Sequence, residues 1–153
     1  MEELGRGFYW QELPVGRTFK TIGRSIFEAD MIGFVGVTGM SEVLFTNLEY
    51  IEHESPTRKR IVPGALVFAL AEGLVMQATL QKVGMAFLNM SFDIKGPVVI
   101  GDTIHVELEV IEARPTSKGG NGLVRTRNRV INQRGECAIE YTPLRLIKGK
   151  PAA

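Results

Sequence analysis

The sequence predicts an α+β fold in which an antiparallel sheet curls around one long, buried helix. Residues 61–80, IVPGALVFALAEGLVMQATL, are almost entirely apolar and carry Glu72 as their single charge. After residue 85, apolar and polar residues alternate with a period of two over most of the chain. Short turns separate these alternating stretches, which is typical of antiparallel neighbours.

The composition is typical of a soluble globular protein of one ordinary domain. The chain has 153 residues, of which 44% are hydrophobic and 23% are charged, enough to bury a core without cross-links. The single cysteine, Cys137, excludes an internal disulfide framework and a cysteine-based zinc cluster, and fits a reducing compartment. Two histidines are too few for a His-rich metal site. The first 13 residues begin acidic without an apolar run, so we expect no secretory signal and a cytoplasmic location.

The first half of the chain predicts one strand and a short helix ahead of the apolar stretch. Residues 17–26 are predicted to form the strand. Residues 28–37 are predicted to form the helix, which Thr38-Gly39 closes. Residues 40–56 are predicted to be a loop with a short helix around residues 48–52.

The apolar stretch predicts a buried helix from Gly64 to about Lys82, with Gly84 ending it. A membrane span is the alternative, because about 20 apolar residues cross a bilayer and a basic run precedes them. Glu72 opposes that interpretation, since a charge at mid-span costs roughly 2.5–3.5 kcal/mol on insertion scales. The strands that follow need an apolar element to cover, which favours the buried helix.

Four strands are predicted after the helix, at residues 87–95, 103–112, 123–131 and 136–147. Glycine-containing turns separate them at residues 96–97, 101–102, 118–122 and 132–135. One strand, a long helix and then four strands therefore predict a sheet wrapped around the helix.

Charge is unevenly distributed, although the net charge is only +1 and indicates no nucleic-acid footprint. Residues 25–57 hold six acidic residues and no Lys or Arg, whereas residues 114–134 hold six cations and no acid. The simplest interpretation is that these segments are two solvated faces. The alternative is that Arg125, Arg127 and Arg129, which we call the cationic ribbon, contact an anionic ligand or the acidic region of a partner subunit.

The order of elements, with the helix reached through residues 61–64, resembles the single hotdog fold of the MaoC-like hydratase/dehydratase family, which includes the R-specific enoyl-CoA hydratases. Matching segments are residues 27–30, 38–39, 47–50 and 97–103. The resemblance covers residues 16–147 and implies one MaoC-like hotdog domain over residues 1–153. It also implies a coenzyme A thioester as substrate or ligand, without another cofactor, a metal, a nucleic acid or a membrane as partner. Exposed sheet edges predict a homodimer or a dimer of dimers.

The catalytic pair of that family is missing here. The family has an Asp directly after the Thr-Gly that ends the short helix and a His five residues later, and the pair activates a water for addition to an enoyl-CoA. This sequence has Met40 and Phe45 at those positions, and neither side chain can transfer a proton. Pro63 stands where the family often has another His.

The resemblance retains the binding half of the site. In the family, the N–H of the glycine at the helix start donates to the thioester carbonyl, and Gly64 is that glycine here. The positive end of the helix would add to this effect. We therefore expect Met40, Phe45, Pro63, Gly64 and Ala65 to bind substrate; the alternative is that Pro63-Gly64 merely starts a helix.

Two carboxylates are candidates to replace the missing pair. Glu42 lies in the same loop, with a solvated loop carboxylate as the alternative, and Glu72 lies in the buried helix, where it needs a partner or a raised pKa. A structural hydrogen bond or a subunit contact is the alternative for Glu72. Three functions stay open: an enoyl-CoA hydratase or 3-hydroxyacyl-CoA dehydratase of weak or atypical activity, a non-catalytic acyl-thioester-binding or partner-subunit module, and an acyl-CoA thioesterase.

Overall fold

An antiparallel sheet bends around one long helix in the computed structural model, which describes residues 1–153. The strands are β1 Thr18–Lys20, β2 Arg24–Ser25, β3 Gly84–Asn89, β4 Phe92–Ile94, β5 Thr103–Pro115, β6 Gly122–Asn132, β7 Cys137–Tyr141 and β8 Leu144–Ile147. The helices are α1 Glu28–Thr38, α2 Val43–Thr46, α3 Leu48–His53 and α4 Gly64–Thr79, and a 3-10 turn occupies Trp10–Glu12. The predicted fold class is confirmed.

The long strands β5 and β6 form the centre of the sheet. β5 pairs with β1 and β2 on one side and with β6 on the other. β6 in turn pairs with β7 and β8, which pair with β4 and β3. Every pairing is antiparallel, and β3 and β4 together form one open edge of the sheet.

Three of the predicted strands are each divided in two. The first gives β1 and β2, the strand after α4 gives β3 and β4, and the last gives β7 and β8. The last break falls at Thr142-Pro143. Proline has no N–H to donate to a sheet ladder, so a break at this point is expected on physical grounds.

The core lies between the inner face of the sheet and α4. In β5, Ile104, Val106 and Leu108 are buried, whereas the intervening His105 and Glu107 are partly exposed. The helix α4 contributes the buried residues Leu66, Val67, Ala71, Leu74 and Val75 to the same cluster. Each fully buried Val, Leu or Ile side chain contributes about 1.5–3 kcal/mol relative to an exposed one. The alternation read from the sequence therefore identifies the core face correctly.

The ends of α4 differ in how well the sequence predicts them. The helix begins at Gly64 as expected but ends at Thr79 rather than near Lys82, and Gly84 opens β3 instead of closing the helix. A tight turn lies between, in which the N–H groups of Val83 and Gly84 donate to Leu80 O. Neither α4 nor any other helix has the length and apolarity needed to cross a membrane.

The segment between α1 and α4 contains more helix than predicted. Gly39 ends α1 in the left-handed region (φ 71°), and its N–H donates to Val35 O at 2.9 Å. Two short helices follow, of which only α3 was expected. Asn47 starts α3 by accepting a hydrogen bond from the Tyr50 N–H at 3.0 Å.

Candidate functional site

The start of α4 presents two backbone donors that are free. The N–H groups of Leu66 and Val67 donate to Pro63 O at 2.9 and 3.1 Å, but those of Gly64 and Ala65 donate to no atom of the chain. No side chain caps this helix. The first N–H groups of a helix lack internal partners, and the aligned peptides add about half a positive charge there. A carbonyl or enolate oxygen is therefore a suitable acceptor at this point.

The backbone before Gly64 is held by hydrogen bonds, and the Ile94 side chain lies close to Gly64. Just before it, the Val62 N–H donates to Val98 O at 2.7 Å, and Ile61 pairs with Val99 in an isolated bridge. A Cβ at position 64 would lie 2.6 Å from Ile94 Cδ1, which is too close unless that side chain moves. Because Cδ1 is the end of an exposed side chain, a larger residue at position 64 would displace the Ile94 side chain rather than the backbone.

A groove of about 400 Å³ runs beside this helix start, and we call it the helix-start groove. Its walls are formed by Ile61, Val62, Gly64, Val67, Ile94, Lys95, Gly96, Pro97, Val98 and Ile139. Lys95 is the only titratable side chain among them. The groove can accommodate an apolar chain beside a hydrogen-bonded oxygen, but it contains no carboxylate or imidazole.

Met40 and Phe45, which the sequence analysis expected at the binding site, do not line the helix-start groove. Met40 is exposed just after α1, and Phe45 is half-buried in α2. Phe45 lines a second groove, of about 460 Å³, which we call the Phe45 groove. Its other walls are Glu28, Met31, Ile32, Val35, Gly36, Thr46, Leu48 and Arg60. The five predicted binding residues are therefore divided, with Pro63, Gly64 and Ala65 together at the helix start.

The Phe45 groove contains an ion pair that the sequence analysis missed. Arg60 Nη1 and Nη2 donate to Glu28 Oε2 and Oε1 at 2.5 and 2.9 Å. The hydrogen bonds from Arg60 lower the pKa of Glu28, and those to Glu28 raise the pKa of Arg60. Both groups are consequently charged at neutral pH. The sequence offered two hints of this ion pair: an acid in the first turn of α1, which is Glu28, and a basic run before α4, which includes Arg60.

The two candidate carboxylates are in contrasting environments. Glu42 is exposed just before α2 and makes no side-chain hydrogen bond or ion pair. Glu72 is buried, and its Oε1 accepts hydrogen bonds from Tyr141 Oη at 2.7 Å and Arg145 Nη2 at 2.5 Å. Burial and the negative charge of Glu72 raise the pKa of Tyr141, so the phenol stays neutral. Glu72 therefore has the charged partner that its burial requires.

The cationic ribbon is neutralised within the chain. Arg125, Arg127 and Arg129 each lie within 4.0 Å of a glutamate on β5, namely Glu112, Glu109 and Glu107. In contrast, Arg58 and Lys59, which precede α4, and Lys95, which lines the helix-start groove, form no ion pair. The pairing favours the interpretation of the ribbon as a solvated face.

The remaining titratable groups form no site. His53 is exposed beside Glu49, and His105 lies beside Glu107 on the sheet face. Cys137 is a half-buried free cysteine. No cluster of three or more His, Cys, Asp or Glu residues has the arrangement needed to hold a metal ion.

Comparison with known proteins identifies relatives of this arrangement. Residues 11–133 match the family described as MaoC like domain. A 3-hydroxybutyryl-CoA dehydratase from Methylorubrum extorquens is 28% identical over 110 residues, which are 72% of this chain and 68% of that protein.

Solved structures of similar fold are consistent with this family relationship. The R-hydratase PhaJ1 from Pseudomonas aeruginosa aligns with a TM-score of 0.80 and 26% identity, covering 94% of this chain and 88% of that chain. A double-hotdog protein from Mycobacterium tuberculosis aligns with a TM-score of 0.84 and 20% identity over 99% of this chain, which spans 47% of that longer chain. At that identity the likeness shows the fold alone: a hotdog, with α4 as its central helix.

Proposed function

The chain belongs to the MaoC-like family, and on that premise we propose that it binds an acyl-coenzyme A thioester at the helix-start groove and hydrates or dehydrates it weakly. The observation that carries this proposal is the free N–H of Gly64, a residue that lines a largely apolar groove, with the free N–H of Ala65 next to it. Relatives named as a dehydratase and an R-hydratase support the reaction class.

The thioester carbonyl oxygen would accept from the Gly64 N–H, with the acyl chain along Val67 and Ile139. Negative charge develops on that oxygen when a nucleophile adds to the conjugated double bond. Preorganised donors at a helix start stabilise this charge more than they stabilise the neutral substrate, and removing one such donor typically costs about 10²–10³ in kcat. The groove thus supplies the electrostatic part of catalysis.

The proton-transfer part is what this chain lacks. Hydration adds a water oxygen to the β carbon and a proton to the α carbon, which requires an acid or base within about 2.6–3.2 Å of the moving protons. Met40 and Phe45 cannot serve, Glu42 is exposed and does not line the groove, and Glu72 is held by Arg145. We therefore propose weak rather than robust hydration.

A second candidate function is a non-catalytic module that holds an acyl thioester or pairs with an active subunit. One observation favours it: the only titratable side chain lining the helix-start groove is Lys95. The thioesterase alternative needs a free carboxylate near the helix, and the hydrogen bonds to Glu72 give it no specific support.

We also propose that two copies associate through β3. All six residues of this edge strand are exposed, including Met85, Phe87 and Leu88. An exposed apolar edge with unpaired backbone groups favours association with another strand. Light scattering at micromolar concentration should give at least twice the chain mass, and a monomer would contradict the proposal.

In the decisive experiment, crotonyl-CoA is incubated with the purified protein, and enoyl absorbance and thiol release are followed together. The binding of butyryl-CoA is measured separately by calorimetry. Slow loss of enoyl absorbance without thiol release supports the weak hydratase. Binding without either reaction supports the module, and thiol release would instead indicate hydrolysis. If the protein binds neither crotonyl-CoA nor butyryl-CoA, both the hydratase proposal and the module proposal are overturned.

A further inference from the structure

Lys95 is an exposed residue and the only charged one that lines an otherwise apolar groove. The other residues lining the helix-start groove are aliphatic residues, glycine or proline. Lys95 has no carboxylate within 4.0 Å, although most of the arginines on the neighbouring sheet face are paired. The positive charge of Lys95 is therefore left without a counterion in the chain.

The backbone of Lys95 is fixed beside the helix start. Its N–H donates to Ala138 O at 2.8 Å, and the Gly96 N–H reaches the same oxygen at 3.3 Å. The preceding residue, Ile94, is the one whose side chain a Cβ at Gly64 would meet. Consecutive Cα atoms are 3.8 Å apart, so Lys95 extends the wall that already contacts Gly64.

A ligand that extends over the exposed Lys95 side chain removes part of the water around its ammonium group. Losing hydration without gaining a partner is costly for an ammonium group, whereas a charge-assisted hydrogen bond to an anionic oxygen compensates that loss. An ester with only an uncharged acyl part beside Lys95 would incur the cost. An ester that presents a carboxylate or a phosphate there would not.

We propose that Lys95 binds an anionic oxygen group of the bound thioester, either a carboxylate at the far end of the acyl chain or a phosphate of coenzyme A. This inference rests on the proposed function, because it takes the ligand to be a thioester in the helix-start groove. It assigns Lys95 as a specificity residue that contacts the ligand and transfers no proton.

The test compares succinyl-CoA, butyryl-CoA and free coenzyme A by calorimetry. The two esters have four-carbon acyl groups and differ by the terminal carboxylate. Lys95→Gln removes the charge and Lys95→Arg keeps it. Lys118→Gln is the matched control, because Lys118 is an exposed lysine without an ion pair in the turn between β5 and β6.

Lys95→Gln should weaken the binding of the anion-presenting ligand about tenfold, and Lys95→Arg should restore most of it. Weaker binding of succinyl-CoA alone identifies the acyl carboxylate, and an equal loss for all three ligands identifies a phosphate. Unchanged affinities, or an equal loss in Lys118→Gln, would overturn the inference. If the parent protein binds butyryl-CoA, the proposed function stands and only the role of Lys95 is in question. If the parent protein binds none of the three ligands, the proposed function itself is wrong.

Discussion

The helix-start groove and the Phe45 groove differ in the chemical groups that they offer to a ligand. The first has the free N–H of Gly64 in its wall, that of Ala65 next to it, and no carboxylate or imidazole. The second contains a carboxylate and a guanidinium, Glu28 and Arg60, but they neutralise each other. Binding through backbone N–H groups survives side-chain substitution, whereas proton transfer depends on the identity of one or two side chains. Substitution at positions 40 and 45 can therefore remove chemistry and leave binding intact.

The comparison of the two grooves assumes that Glu72 is a structural carboxylate. Substitution of Glu72 tests that assumption and should give the largest effect, a loss of stability. Removing one partner of a buried ion pair leaves an uncompensated charge, so Glu72→Ala should lower the free energy of unfolding by about 3–5 kcal/mol. Glu42→Ala, at an exposed position, should change it by less than about 0.5 kcal/mol. Urea unfolding measures both.

The double variant Glu72→Met with Arg145→Met sharpens this test. Replacing both partners of a buried pair by apolar residues is often neutral or stabilising, so most of the stability lost in Glu72→Ala should return. Retained hydration of crotonyl-CoA in the double variant would agree with a structural role. Complete loss of hydration in a stable, folded double variant would make Glu72 the missing acid or base.

The second effect concerns binding at the helix start. Gly64→Val should weaken butyryl-CoA binding at least about tenfold, because the new side chain meets Ile94 and narrows the groove beside the free N–H groups. Gly73→Ala is the matched control, since a Cβ there meets no atom within 4 Å. That control should leave binding unchanged and stabilise α4 by about 0.5–1 kcal/mol. Equal affinities in the two variants would show that the ligand binds elsewhere.

Local signals predicted the fold and the helix start, but not the pairings between distant residues. The apolar run at residues 61–80 and the alternation in β5 are periodic patterns, and Pro63-Gly64 is a local turn signal. Arg145, the partner of Glu72, is 73 residues away, and Arg60 is 32 residues from Glu28. Such partners depend on sheet register and on how helices dock, which no short window of sequence encodes.

The third effect asks whether the two grooves belong to one site. Met40→Asp with Phe45→His restores two titratable groups, and each such group typically contributes about 10²–10⁴-fold when correctly positioned. We expect a gain in crotonyl-CoA hydration of at most about tenfold, because Phe45 does not line the helix-start groove of its own chain. Each single substitution is the control and should give no gain alone. A gain of several orders of magnitude would show that the substituted positions and the helix start form one competent site in the assembled protein.

The smallest expected effect concerns the coenzyme A phosphates and contrasts paired with unpaired cations. Arg58 and Lys59 are exposed and unpaired just before α4, whereas Arg127 pairs with Glu109 at 2.8 Å. Exposed charge pairs contribute up to about 1 kcal/mol each, so Arg58→Gln with Lys59→Gln should weaken binding of free coenzyme A about fivefold at low salt. The difference from the parent should shrink as salt rises, since screening acts over about 8–10 Å near physiological ionic strength. Arg127→Gln should change neither the affinity nor its salt dependence. The reverse result, with the ribbon variant losing affinity and the other unchanged, would identify the outer sheet face as the phosphate-binding surface and would require its ion pairs to open on binding.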